Sequence, residues 1–294
     1  MIRKLRKFEY LKPKTISEVV SLLRDYQEKA SLLAGGTDLL VFMKLGTKNP
    51  KYVIDLKGIS SLNFISWSIR DGLKIGNLTT LQSIIGHSLI QKHHPILEQA
   101  AKALGHPQIR NRATIAGNIC TASPSGDMSP SLLALGARVK VANTSGERII
   151  PIRDIFAGSF ETVLAPADVL IEIQIPSLPL LSGGSYCWQP KITAVDETLV
   201  GAAAVVILTE GKTLKEVRIG MGSVAPTPIR ALRAEEFMKG KTIGDHLFKE
   251  AAAIAASESR PRTRADYRRE ITKLLVEQAL KEATNQAIRA EVRQ

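Results

Sequence analysis

The junction at residues 31–38 restricts the fold more than any other part of the chain. Residues 31–34 read as a short apolar strand that runs without a break into Gly35-Gly36-Thr37-Asp38, and residues 39–45 follow with the spacing of a short helix. A glycine pair at a strand-to-helix junction lets the backbone turn sharply and present its N–H groups, because no Cβ stands in the way. Upstream, residues 8–11 read as a strand. Thr15 and Glu18 form a capping-box pattern for a helix over 16–27, with Ile16, Val19, Val20 and Leu23 on one face. Downstream, 51–56 reads as a returning strand. Residues 1–57 are therefore expected to form one α/β unit with a glycine turn at its centre. N–H groups gathered in front of a helix suit a pyrophosphate, although a glycine pair after a strand also serves as an ordinary tight turn. The turn is not a P-loop, since Asp38 follows Thr37 where a lysine is needed. The Gly-Lys-Thr triplets at 211–213 and 240–242 lack the glycine five positions earlier, where Val206 and Glu235 stand, and read as turns. Nor does the turn match G-x-G-x-x-G.

A second unit is expected over 58–177. Strands at 62–69 and 73–75 are joined by Asp71-Gly72, a hairpin signal. Helices follow at 81–87, capped by Thr80, and at 95–104, opened by Pro95. Ser129-Pro130 opens a further helix that Gly136 closes. Strands at 137–142, 148–152 and 169–175 complete the unit. Between them, residues 105–127 concentrate small residues, hydroxyls, the Asn118 amide and the Asp127 carboxylate in a stretch of low apolar content, which reads as a functional loop rather than core. Its chemistry suggests backbone amides and Asn118 for phosphate, Ser123 for phosphate or sugar, and Asp127 for a ribose hydroxyl or ring N–H. Residues 178–184, with Pro179 and Ser182-Gly183-Gly184, read as a linker. Residues 185–294 form the third expected unit: a continuous apolar strand at 200–208, a turn at Glu210-Gly211, a returning strand at 217–224, and helices near 231–239, 246–258 and 264–290.

Composition narrows the function classes. Two cysteines, Cys120 and Cys187, cannot hold a four-cysteine iron–sulfur cluster or a disulfide framework, and their scarcity suits a reducing cytoplasm. The basic start of the chain is followed by no apolar signal segment, and no run approaches the length of a membrane span. The net charge of +12 is spread along the whole chain. It is only mildly enriched at 260–269, where the one aromatic is Tyr267, so a solvated or docking face is expected rather than a nucleic-acid site. His93 and His94, beside Pro95, read as exposed. His106 reads as cleft-lining or turn-satisfying, Cys120 as a small buried hydrophobe or else a ligand contact beside the Asn118 turn, and Trp67 and Trp188 as packing or interface residues.

The glycine segments taken together resemble the FAD-binding signatures of the molybdenum hydroxylase flavoproteins, the family of the medium subunit of aerobic carbon monoxide dehydrogenase and the flavin domain of xanthine dehydrogenase. Ala34-Gly35-Gly36-Thr37-Asp38-Leu39 is similar to the first flavin loop. Thr114-Ile115-Ala116-Gly117-Asn118-Ile119 with Ala122-Ser123-Pro124 and Asp127 is similar to the second. Segments 75–81, 160–164 with 169–176, 221–231 and 267–269 also match in order, so the likeness spans nearly the whole chain. It implies an α+β fold in which two α/β subdomains form a vanillyl-alcohol-oxidase/PCMH-type FAD-binding domain, followed by a C-terminal α+β domain with an antiparallel sheet and helices. It implies cofactor contacts from Leu33, Ala34, Gly35, Gly36, Thr37, Asp38 and Leu39, from Thr79, and from Thr114, Ala116, Gly117 and Asn118. It further implies that Ser123 and Asp127 meet the adenosine half, that Leu104 and Leu170 lie along the cofactor, and that Lys191 reaches the flavin or a phosphate. The family often has glycine where Ala113 and Ala116 stand, and an arginine-rich stretch where residues 192–196 stand. The implied activity is oxidoreduction without a catalytic side chain or metal in this chain. Its implied partners are a two-iron two-sulfur small subunit, a molybdopterin large subunit, and an acceptor such as NAD, oxygen, a quinone or ferredoxin. A free-standing flavin oxidase and a non-catalytic nucleotide-binding module are the rival readings.

Overall fold

The computed structural model describes residues 4–192 and 197–292. The first unit comprises β1 (Glu9–Leu11), α1 (Ile16–Tyr26), β2 (Ala30–Leu33), α2 (Leu39–Leu45) and β3 (Tyr52–Asp55). Its strands form a parallel sheet in the order β1-β3-β2. Parallel pairing needs crossover connections, and α1 and α2 supply them. Thr15 caps α1 by accepting from the Glu18 N–H, while the Glu18 carboxylate reaches back to the Lys14 N–H. Val19, Val20 and Leu23 pack α1 onto the sheet.

The second unit comprises β4 (Ile65–Ser68), β5 (Gly72–Gly76), α3 (Leu81–Ile84), α4 (Ser88–His93), α5 (Pro95–Ala103), α6 (Pro107–Arg110), α7 (Ile115–Thr121), α8 (Met128–Leu135), β6 (Arg138–Asn143), β7 (Gly146–Pro151), β8 (Phe156–Gly158), β9 (Glu161–Thr162) and β10 (Val169–Ile175). Its main sheet has the order β4-β5-β10-β6-β7, all neighbours antiparallel. The expected hairpin at Asp71-Gly72 is present. Residues 105–127 are not a plain loop: Pro107 occupies the first turn of α6, and Thr114 caps α7 by accepting from the Gly117 N–H. Local capping thus supplies helix starts that the low apolar content conceals.

The third unit comprises β11 (Ser182–Pro190), β12 (Thr198–Leu208), β13 (Leu214–Gly222), β14 (Ile229–Arg230), α9 (Leu232–Met238), α10 (Asp245–Glu258) and α11 (Ala265–Val292). The strands form an antiparallel sheet in that order. The expected linker ends early, because Ser182, Gly183 and Gly184 already belong to β11. Gly183 is there for close packing: a Cβ on it would stand 2.1 Å from the Ala283 carbonyl oxygen of α11. Every residue of β12 is buried. Ala203 and Val205 join the core of the second unit, whereas Ala202, Ala204, Val206 and Leu208 join a core with α9, α10 and α11. Burial on both faces explains why this strand is continuously apolar instead of alternating. The two Gly-Lys-Thr triplets are turns, as expected, and Thr213 of one bridges Thr242 of the other. Among the described residues no helix is long and apolar enough to cross a membrane.

The expectation for the histidine pair is corrected. His94 is not exposed but buried at 1%, with neither ring nitrogen hydrogen-bonded. Only His93 remains partly accessible, stacked on Trp67 at a centroid distance of 3.8 Å. Burial, and then the neighbouring His93, push the His94 pKa from 6.5 down to about 4. The ring is therefore neutral in the fold, while the unfolded chain takes up a proton below pH 6.5.

Stability should consequently fall as pH drops from about 6.5 to about 4, and His94→Phe should remove up to about 3 kcal/mol of that loss. Urea unfolding at several pH values measures this, and parallel pH profiles for variant and wild type would contradict it. Gly183→Ala should lower stability by about 2 kcal/mol or more through overpacking against α11. An unchanged urea midpoint would show that α11 can move away freely.

Candidate functional site

The glycine turn and the α7 segment face each other across a cleft of about 660 Å³, within the ~300–1,000 Å³ typical of small-ligand sites. β2 delivers the first wall. Because the three parallel strands end together, residues 34–39 lie outside their carboxyl ends, where open α/β sheets bind ligands. Among the described residues, none accepts a hydrogen bond from the N–H of Gly36, Thr37, Asp38 or Leu39. Gly36 is left-handed, at φ +82°, and a Cβ on Gly35 would stand 2.0 Å from the Arg112 carbonyl oxygen. Neither position therefore accepts a side chain without rearrangement.

The second wall is more self-satisfied. The Ile115 N–H donates to Thr79 O at 3.1 Å and the Asn118 N–H to Thr114 O at 3.0 Å. The Gly117 N–H is taken by Thr114 Oγ1 at 3.0 Å. What this wall offers is the Asn118 amide, whose Oδ1 is buried without a partner, and the side chains of Ser123, Ser125 and Asp127. Ala113 and Ala116 have no left-handed backbone, so alanine is unstrained at both positions.

Asp127 stands 6% exposed at the start of α8. Its Oδ1 accepts from Tyr186 Oη at 2.9 Å and Thr198 Oγ1 at 2.6 Å. Burial pushes its pKa from 3.8 up to about 6, against the hydroxyl hydrogen bonds that favour the anion. Sequence reasoning missed Tyr186 and Thr198, which lie about 60 and 70 residues downstream on β11 and β12, with no local pattern to announce them.

Of the residues singled out from sequence, Ala34, Gly35, Gly36, Thr37, Asp38, Leu39, Leu104, Thr114, Ala116, Gly117, Asn118, Ser123, Asp127 and Leu170 line the cleft. Three do not. The Leu33 side chain packs with Met43 and Val53 in a small core. Thr79 is buried and donates its hydroxyl to Phe64 O at 2.9 Å. Lys191 pairs with Glu197. The neighbouring stretch 193–196 lies outside the described residues. His106 is not in the lining; its ring meets Gln108. Cys120 is exposed and lines the cleft, which is the second of its two expected positions rather than the buried one. Lining residues that the sequence did not single out include Phe42, Asn77, Thr121, Phe160, Asp168 and Glu197. Thr121 could have been found, since it follows Gly117 by one helical turn. Phe160 and Asp168 reach the cleft only through the folding of β8, β9 and β10.

A parallel sheet and an antiparallel sheet enclosing a cleft of unpaired amides, with a separate antiparallel layer behind, define a flavoprotein of the FAD-binding type. Residues 6–178 match the FAD binding domain in molybdopterin dehydrogenase, and residues 189–283 match the CO dehydrogenase flavoprotein C-terminal domain. The chain is 32% identical to the carbon monoxide dehydrogenase medium chain of Hydrogenophaga pseudoflava, over 94% of this chain and 97% of that one. It is 29% identical to the glyceraldehyde dehydrogenase medium chain of Sulfolobus acidocaldarius, over 94% and 98%. A crystal structure of the Hydrogenophaga pseudoflava carbon monoxide dehydrogenase superposes with a TM-score of 0.91 at 33% identity, covering 95% of this chain and 98% of that one. The chain belongs to the FAD-binding flavoprotein subunits of the molybdenum hydroxylases, which are oxidoreductases.

In the flavin-free chain, Asp127 should stabilise the fold least at neutral pH, because the native carboxyl keeps its proton up to about pH 6 while the unfolded one loses it near 3.8. Raising the pH from about 4 to about 6 should therefore cost the wild type up to about 3 kcal/mol that Asp127→Asn does not lose. Denaturant unfolding at the two pH values checks this, and an equal change in both proteins would refute it.

Proposed function

We propose that this chain relays electrons: its FAD takes them from two-iron two-sulfur clusters of a small partner subunit, fed by a molybdopterin large subunit, and passes them to an external acceptor, NAD or another carrier. The observation that carries the reading is the row of unpaired amides from Gly36 to Leu39, donors without acceptors in a cleft whose other wall holds the buried, unpartnered Asn118 Oδ1. Free backbone donors suit an anion's oxygens, and a buried acceptor such as Oδ1 is costly unless a ligand hydroxyl or N–H donates to it. Gly35, whose Cβ would collide with the Arg112 carbonyl, and the left-handed Gly36 keep this turn free of side chains, so a pyrophosphate can approach its backbone.

On this reading the amides of residues 34–39 hold the pyrophosphate, with Thr114, Ala116, Gly117 and Asn118 closing on it from the other wall. Ser123 and the second oxygen of Asp127 serve the adenosine half, and Leu104 and Leu170 give apolar contact along the cofactor. Leu33 and Thr79 act indirectly, anchoring the two walls to their cores. FAD supplies the redox chemistry when bound, accepting electrons singly and storing two, so no general base is needed from the protein. Residues 1–57 and 58–177 are the two cofactor subdomains, and 185–294 the third domain. The medium-chain relatives, and the scarcity of cysteine, support multi-subunit assembly and a cytoplasmic setting.

The purified chain, alone or co-expressed with its cluster-carrying partners, should show a flavin spectrum and release FAD on heating. Joint replacement of Asn118 and Asp127 by alanine should lower flavin occupancy at least about tenfold. A complex that is colourless in the flavin region would overturn the proposal.

A further inference from the structure

One side-chain hydrogen bond spans the cleft between the two glycine segments. Thr121 Oγ1 lies 3.0 Å from Asp38 Oδ2, although the residues are 83 positions apart. Both line the cleft. The same hydroxyl lies 2.9 Å from Gly117 O. A hydroxyl has one proton to give, and the ionised carboxylate is the stronger acceptor. Asp38 immediately precedes α2, where an aspartate commonly caps the helix with its own side chain, yet it makes no capping bond here. Its carboxylate is directed to the opposite wall instead.

The seat of Thr121 is fixed. It ends α7, and the next residue, Ala122, is left-handed at φ 50° and accepts the Phe160 N–H at 2.8 Å through its carbonyl. On the other side, Gly35 packs directly against the Arg112 carbonyl. Gly35 with Arg112 and Asp38 with Thr121 thus join the walls, Phe42 adds an edge-on ring contact with Phe160, and the unpaired amides of Gly36 and Thr37 lie between the first two contacts in sequence. A carboxylate is acceptor-only and repels a phosphate, so Asp38 has no favourable direct contact to make with a pyrophosphate.

We propose that the Asp38 and Thr121 side chains form a latch that joins the two walls and sets how long FAD stays bound, both acting as positioning groups, so that Asp38 offers the cofactor its backbone amide and not its carboxylate. This rests on the flavin reading above. With the latch made, the donor row is held at a fixed distance from the α7 wall. Without it, the stretch between Gly35 and the Phe42–Phe160 ring contact loses its polar tie to the α7 wall and moves more freely.

The test uses the full chain, alone and in its complex, and follows FAD release by the rise in flavin fluorescence. Thr121→Val keeps shape but loses the donor, and should speed release about fivefold to tenfold, within the range of an ordinary hydrogen bond because this one is exposed to solvent. Thr121→Ser keeps the donor and should restore release to within about twofold of wild type. Asp38→Ala should match Thr121→Val, and the double variant should be no faster than either single one, because both remove the same bond. Unchanged release in Thr121→Val, or additive effects in the double variant, would overturn the latch. Hydrogen exchange of the flavin-free chain separates this from failure of the flavin reading. Thr121→Val should speed exchange at the hydrogen-bonded amides of Leu40 and Phe42, which donate to Gly36 O and Asp38 O, whether or not FAD binds, and a wild-type chain that takes up no FAD, even with its partners, would refute the flavin reading while this exchange still judges the latch.

Discussion

The carboxylate of Asp127 is the tie on which the arrangement of layers depends. It sits at the start of α8, inside the cleft wall, and takes hydroxyl hydrogen bonds from both β11 and β12. A buried carboxylate is tolerated only when its oxygens are met. Meeting them draws the C-terminal sheet against the cofactor unit at one defined position. The Tyr186 ring reaches Asp127 because Gly201, diagonally across on β12, has no Cβ; one there would stand 2.5 Å from the phenol oxygen. Gly220 does the same beside α8, where a Cβ would stand 2.1 Å from Pro130 O. Hydrogen bond and close packing thus specify the same docking.

The two cofactor walls divide the work between them. The wall from the parallel sheet is rich in unpaired donors, because the chain leaves β2 through glycines that neither pair with a neighbour nor fill space. The α7 wall has spent most of its own donors on Thr79 and Thr114 and contributes shape and an orphan amide oxygen. β12, buried on both faces, carries the cofactor unit on one side and the terminal helices on the other. A flavin held in such a frame has its surroundings set by rigid elements, which is what tuning its potential requires.

The order and type of most elements were legible because their signals are local. Thr15 with Glu18, Pro95, Asp71-Gly72 and Gly136 each act within a few residues, and each starts or ends an element where the pattern places it. The Gly35-Gly36 turn was legible for the same reason. What the local pattern left open shares one cause. Leu33 and Thr79 flank the right segments but turn into neighbouring cores, since which way a residue faces depends on what packs above it. His94 is buried where exposure was expected, and Cys120 takes the cleft position rather than the buried one. Gly183-Gly184 resembles a linker in sequence, yet Gly183 serves α11, a helix that packs on it from far along the chain.

By itself, then, the sequence determined the strand and helix inventory, the two glycine segments, and the family to which they belong, because short-range backbone preferences and ordered motifs survive in one dimension. Only the tertiary structure decided that Tyr186 and Thr198 meet Asp127, that Thr121 meets Asp38, and that Phe160 and Asp168 complete the cleft. Those contacts join residues far apart in the chain, and the free energy that selects them comes from burial and hydrogen-bond pairing that exist only once the layers have come together.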